Sequence, residues 1–356
     1  MPLLRIGLLG CGQIARAVHL RVLRGLPSVR VAAIAEADDD ARAAAAAIVP
    51  DAAHFADFHE LIGSPDLDAV VICLPPHLHA PSAIAAFEAG LHVYLEKPLA
   101  PSALEGARVL DAWRRTDRIG MIGFNFRFHP QAQQLRRRVR GGEIGTVLGI
   151  RSVFSVLPHQ LPAWKRSRTL GGGVLLDLAS HHVDLVHHLT GDPVVRAYAA
   201  VRSLAGEGDH AALQLELASG ATMQSFVSLG TVDENRLELL GTSGKLVMDR
   251  TELTRTEHVA ATLRGARVRR VRRALEALEP ARLLRSPGAE PSFAAALGAF
   301  AAAAAGGAFS GPDLIDGARA LAVIEAAERA AASGGAVAPV WNEAAMRASE
   351  REDTAR

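Results

Sequence analysis

Short, continuously apolar runs alternate with amphipathic or alanine-rich stretches through residue 124. Runs without polar alternation suit strands covered on both faces, and the stretches between them have helical spacing. Residues 3–9 read as a buried strand, followed by a glycine turn and a helix over 13–23. A second apolar strand falls at 29–35, then an alanine-rich helix at 38–48 and a short helix at 58–62. Residues 69–74 form a Val/Ile-rich strand that Pro75-Pro76 ends. A helix over 81–89 is closed by Gly90, and a strand at 92–95, a helix at 102–115 and a strand at 119–124 complete the series. Strands alternating with helices predict a parallel, doubly wound α/β sheet.

The pattern changes near Asn125. After a helix at 130–140, strand-like segments follow at 147–156, 194–201, 211–217, 222–229, 236–240 and 245–248. Turns such as Ser219-Gly220 and Thr242-Ser243-Gly244 separate the later ones. This predicts a second, α+β domain with a mainly antiparallel sheet, closed by helices at 292–305 and 313–332. The expected division is a first domain over 1–123, a second over 124–341, and a charged tail over 342–356 that frays. A chain of 356 residues is expected to form two domains rather than one core.

The chain is 49% hydrophobic and 22% charged with a formal net charge of +1, an ordinary soluble composition with no global field toward nucleic acid or lipid. Cys11 and Cys73 make no disulfide framework. The start lacks the features of a signal peptide, and the apolar stretch near 293–305 is too short to span a bilayer. A cytoplasmic protein with no membrane or nucleic-acid partner is expected.

Gly10-Cys11-Gly12-Gln13-Ile14-Ala15 lies between the first strand and the first helix. Gly10 permits a tight turn, Gly12 lets backbone approach a pyrophosphate, and Gln13 and Ile14 open the helix whose N-terminus faces the phosphates. Ala15 allows close helix–strand packing. Glu36, ending the second strand, is placed to accept hydrogen bonds from adenosine ribose hydroxyls and to repel a 2′-phosphate. NAD is therefore favoured over NADP, with Arg42 the residue that would reverse the preference. Leu74-Pro75 and the turn beyond should border the nicotinamide half. His77 reads equally as a solvated loop residue, and His79 as a helix-start residue or a cofactor contact.

Glu96-Lys97-Pro98 follows the strand at 92–95 and sets a lysine at the lip of the sheet. Asp177 and His181, at i and i+4, share one helical face that Asp184 and His188 continue. A neutral imidazole there is suited to take a hydroxyl proton while hydride leaves the same carbon, and a lysine to bind that hydroxyl. His181, His182, His187 and His188 with Asp177 and Asp184 offer a metal set, but the spacing turns His182 and His187 to other faces, so no metal is expected. Arg127 and His129, past the last strand of the first series, are candidates for substrate contact or for domain-junction packing. Trp164 and Lys165 are candidates for the pocket wall or for loop anchoring. The arginine-rich run at 264–273 reads as a solvated face, with an anionic partner the other reading.

With these residues in place, the chain resembles the Gfo/Idh/MocA oxidoreductases, the family of glucose–fructose oxidoreductase and inositol dehydrogenase. The resemblance rests on Gly10 to Ala15, on Glu96-Lys97-Pro98, and on Gly171-Gly172-Gly173 running to Asp177, His181 and Asp184. Phe126-Arg127-Phe128-His129-Pro130 and Trp164-Lys165 resemble further family segments; Ala179 stands where the family often has glycine. The resemblance implies a Rossmann domain joined to an open-faced sheet that is often buried in dimers or tetramers. It implies Lys97 as catalytic lysine, Asp177 as substrate-binding carboxylate and His181 as general acid/base, with Glu96 and Lys97 also beside the cofactor. The expected activity is NAD-dependent hydride transfer at a secondary hydroxyl of a polyol, sugar or sugar derivative, by a homodimer or homotetramer. The alternatives are a non-catalytic NAD(P)-binding sensor of the same fold, or reduction of a non-sugar substrate.

Overall fold

The computed structural model describes residues 3–64, 66–158, 161–250, 257–260 and 291–339. The arginine-rich run and the charged tail lie outside the described residues. Strands β1 (Leu4–Leu9), β2 (Val29–Ala35), β3 (Ala53–Phe55), β4 (Ala69–Ile72), β5 (His92–Leu95) and β6 (Gly120–Ile122) form one parallel sheet in the order 3-2-1-4-5-6. The order reverses between β1 and β4. In such a sheet the crevice beyond the carboxyl ends of those two strands is where a ligand binds.

Period-two alternation divides the strand side chains between two layers. Val70 and Ile72 join Ala83, Ala86 and Phe87 of α4 (His79–Glu88) and Val109 and Leu110 of α5 (Ala103–Arg114). Helix α3 (Phe58–Ile62) adds Leu61 and Ile62 to that layer. Ala69 and Val71 face the opposite layer, with Leu20 and Leu23 of α1 (Leu20–Gly25) and Ala45 of α2 (Asp39–Ala46). The expected helices start where an N-cap side chain can take up a free amide. Asp38 accepts from Ala41 N at 2.8 Å, and Ser102 from Glu105 N at 3.3 Å.

After α6 (Pro130–Arg140), strands β7 (Val147–Ser155), β8 (Val194–Arg202), β9 (His210–Leu217), β10 (Thr222–Ser228), β11 (Glu234–Gly241), β12 (Gly244–Asp249) and β13 (Glu257–Ala260) form a second sheet ordered 13-12-11-7-10-9-8. Its pairs are antiparallel except β7 with β10, which run parallel. Helix α7 (Ser180–Thr190) and the turn before it lie between the two sheets in one continuous apolar core.

Two short strands carry no sequence signal. β3 is three residues long with two of them exposed, so it has no buried run to read, and β13 is a four-residue edge strand. Helix α8 (Pro291–Ala304) follows the second sheet in sequence yet packs on the first. Its Ala296, Leu297 and Phe300 join the layer of α1, and Phe300 meets the Tyr94 ring edge-on at 5.7 Å. Helix α9 (Leu314–Ser333) opens on a capping box between Asp313 and Asp316. No helix among the described residues is long and apolar enough to cross a membrane.

Candidate active site

The glycine loop leaves β1 at the switch point. Gly10 has φ +85°, and a Cβ there would lie 2.8 Å from the Cys73 backbone, so only glycine lets the two strand ends close together. A Cβ at Gly12 would meet no atom of the described residues within 4 Å, which leaves open space among them beside bare backbone. Ala15 is fully buried, while Gln13 and Ile14 lie at the surface. The segment Ala15–His19 is a π-type turn running into α1, where an uninterrupted α-helix is expected from Gln13. Such turns recur at functional sites because the extra residue redirects side chains.

Glu36 stands beside this loop. Its carboxylate accepts from Cys11 N at 2.7 Å and from Asp38 N at 3.1 Å. Arg42 donates to the Glu36 carbonyl at 2.6 Å and to the Asp39 carboxylate, so its guanidinium is held at the start of α2. Across the crevice, the ring nitrogens of His79 lie 2.6 Å from Pro98 O and 2.8 Å from Leu74 O. The buried imidazole thus ties the Leu74-Pro75 turn to the Lys97-Pro98 peptide, which is cis. Burial depresses its pKa, against the pull of those two carbonyls. The Glu96 carboxylate points to His19, with Oε1 2.8 Å from Nε2. His19, fully buried at the end of the π turn, gave no sequence signal because nothing in its local pattern marks a partner 77 residues away.

Lys97 reaches the second domain. Its Nζ donates to Asp177 O at 2.6 Å and to Asp177 Oδ1 at 2.8 Å. Lys165 donates to the other oxygen, Oδ2, at 2.7 Å. One carboxylate therefore bridges two ammonium groups brought from different segments. Burial by itself would raise the Asp177 pKa; the two lysines overcome it and hold the group well below the usual carboxylate range. Gly172 makes this possible, because a Cβ there would lie 2.5 Å from the carbonyl oxygens of Trp164 and Lys165. Lys165 Nζ also lies 5.4 Å from the centre of the Trp164 ring.

Asp177 sits on a second π-type turn, Leu175–Ala179, in which Ser180 N–H reaches back to Leu175 O. The expected simple helical stripe is thus redrawn. His181 stacks on Phe126 with ring centres 4.2 Å apart and planes 14° apart, and Phe124 and Phe154 flank it. Its Nδ1 is buried with no hydrogen-bond partner among the described residues. Burial, then the charges of Lys97 and Arg250, push its pKa well below the ordinary value, with Asp177 opposing. The shift favours the neutral, proton-accepting imidazole. His182 turns away: it stacks on Phe154 at 5.3 Å and its Nε2 lies 3.0 Å from Asn235 Oδ1.

Asp184 does not continue the line of Asp177. It receives Arg127 Nε at 2.9 Å, and Arg127 Nη1 donates to Asp316 Oδ2 at 2.9 Å. This buried triad links the segment after β6 to α7 and α9, an arrangement matching domain-junction packing. His129 caps α6, accepting from Gln131 N at 3.2 Å. Among the described residues no group of three or more His, Cys, Asp or Glu could hold a metal ion.

Comparison with known proteins agrees with this architecture. Residues 4–147 match the model described as an oxidoreductase family with an NAD-binding Rossmann fold, and residues 132–247 match the GFO/IDH/MocA C-terminal domain. The chain belongs to the GFO/IDH/MocA oxidoreductase family. Among its relatives, levoglucosan dehydrogenase of Pseudarthrobacter phenanthrenivorans is 32% identical over 206 residues, covering 54% of this chain and 52% of that protein. Myo-inositol 2-dehydrogenase of Thermotoga maritima is 27% identical over 270 residues, covering 69% and 75%. The chain thus spans between about half and three quarters of the length of these relatives. A levoglucosan dehydrogenase solved with NADH and levoglucosan superposes with a TM-score of 0.81 at 25% identity, over 95% of this chain and 100% of that one.

Proposed function

We propose that this protein is an NAD-dependent dehydrogenase or reductase acting on a secondary hydroxyl or ketone of a polyol, sugar or sugar derivative. The observation that carries the reading is the convergence of Lys97, Asp177 and the imidazole of His181 beyond the carboxyl end of β5. The relatives named above act on substrates of this class, and one was solved with NADH and levoglucosan. The open space at Gly12 and the anchored Glu36 carboxylate suit a dinucleotide without a 2′-phosphate.

Bound nicotinamide supplies the two-electron acceptor. The protein's own part is the proton and the orientation. His181, held neutral, takes the proton of the hydroxyl undergoing oxidation. Lys97 polarises that oxygen and Asp177 orients the substrate; in the reverse direction His181⁺ returns the proton to a ketone oxygen. Lys165, already on Asp177, and Trp164 wall the substrate side. Residues 1–123 carry the cofactor and 124–341 the substrate.

We place the protein in the cytoplasm and assemble it as a homodimer or homotetramer. Tyr198 and Phe226 are 43% and 42% exposed on the outward face of the second sheet, which suits pairing of two such faces. The test is nicotinamide absorbance across inositols, aldoses, anhydrosugars and nucleotide sugars, with NAD and NADP, beside Lys97→Ala and His181→Ala. Turnover that both substitutions abolish is the expected result. Tight NADH binding with no turnover anywhere favours the sensor alternative.

A further inference from the structure

Phe126 has a second occupant. The guanidinium carbon of Arg250 lies 3.7 Å from the Phe126 ring centre, and His181 stacks on the same ring at 4.2 Å. Two planar groups this close cannot share one face, so the three form layers: guanidinium, phenyl, imidazole. Arg250 follows β12, and its backbone N–H donates to Asn235 O at 3.0 Å. The same Asn235 holds His182 through its side chain. The end of the β11–β12 hairpin thus fixes both layers behind the candidate base.

We propose that Arg250, acting through Phe126, is a positioning residue that orients His181 and sets a positive charge behind it. The inference rests on the reading of His181 as the acid/base. Phe126 alone would fix the ring plane; the guanidinium adds a positive charge about 8 Å from the imidazole at most, the sum of the two stacking separations. The other groups facing His181 are Lys97, which acts in the same sense, Asp177, which opposes, and His182. Burial is the largest cause of the depressed pKa and Lys97 the larger charge; Arg250 adds to both and outweighs the opposing Asp177. A unit charge at that distance, at an effective dielectric of about 20, moves a neighbouring pKa by about 1.5 units. Nothing in the sequence around Arg250 marks this role, because Phe126 and His181 come from distant segments.

The test is an NMR titration of the histidine ring signals in the cofactor-free full-length protein, with His181 assigned by loss of its signal in His181→Gln. Arg250→Gln is expected to raise the His181 pKa by about 1.5 units, and Arg250→Lys to leave it within a few tenths. With a substrate in hand, the acid limb of the oxidation profile moves to higher pH by the same amount in Arg250→Gln. An unchanged titration in Arg250→Gln, or an equal shift in Arg250→Lys, overturns the proposal. Should Arg250→Gln fail to fold, Phe126→Leu provides the second arm: about tenfold lower kcat at unchanged KM is expected, and an unchanged kcat overturns the proposal. Absence of turnover in the wild type would count against the dehydrogenase reading and leave the titration to decide the stack.

Discussion

Neutralising Asp177 should harm folding through a repulsion that a second substitution relieves. In Asp177→Asn the side chain keeps one acceptor oxygen and gains an NH2 group. Lys97 and Lys165 now bind opposite oxygens at 2.8 and 2.7 Å, so whichever way the amide turns, one ammonium faces a donor. The lysine side chains are 13% and 25% exposed and Asp177 11%, so water screens the conflict only in part. At an effective dielectric of about 20, an ion pair at roughly 3 Å is worth about 5 kcal/mol before desolvation, and two ammoniums roughly 5 Å apart repel by about 3 kcal/mol. After desolvation is offset, loss of one partner from such a buried cluster costs about 3–5 kcal/mol. Lys165→Met in the Asp177→Asn background should recover about 1–3 kcal/mol, whereas in the wild-type background it should destabilise. Urea unfolding of the four proteins forms the double-mutant cycle. Additivity within about 0.5 kcal/mol would show that the lysines do not share the carboxylate, and would refute the argument.

Other consequences follow from the same geometry. His182 is fully buried and burial lowers its pKa from 6.5 to about 4, so the folded protein keeps it neutral while the unfolded chain takes a proton below about 6.5. Stability present above pH 6.5 is therefore lost as pH falls toward 4, by about 3 kcal/mol from this residue; urea midpoints against pH should show the slope, and His182→Gln should flatten it. An equal slope in that variant would contradict the assignment. At the cofactor end, Glu36→Gln keeps an acceptor for the Cys11 amide but removes the charge that opposes a 2′-phosphate. The preference for NADH over NADPH, read by fluorescence titration, should narrow about tenfold, or about 1.4 kcal/mol. An unchanged ratio would move the source of the preference elsewhere.

Much of the first domain was legible because its signals are local. A strand covered on both faces must be apolar throughout, as β4 is, and a helix must begin where a side chain can cap it, as Asp38 and Ser102 do. The glycine loop was legible for the same reason, since its chemistry is in the backbone of consecutive residues. The strands of the second sheet were legible from alternation and turns. Their pairing was not, since the parallel β7–β10 contact joins segments some 70 residues apart and leaves no mark on either. Short edge strands such as β3 bury too little to carry a pattern.

The candidate site divides along the same line. The sequence by itself determined which residue types stand at the ends of which elements: Lys97 after β5, Asp177 and His181 around the start of α7, Glu36 after β2. Those placements follow from local hydrogen bonding and periodicity. Only the tertiary structure decided which charges meet. It joined Lys97 and Lys165 on Asp177, set Arg127 against Asp184 and Asp316, and turned Glu96 toward His19. It also layered Arg250, Phe126 and His181. The physical reason is that charge and ring contacts act over a few ångströms in space, between groups whose distance along the chain is set by the fold and not by any local pattern.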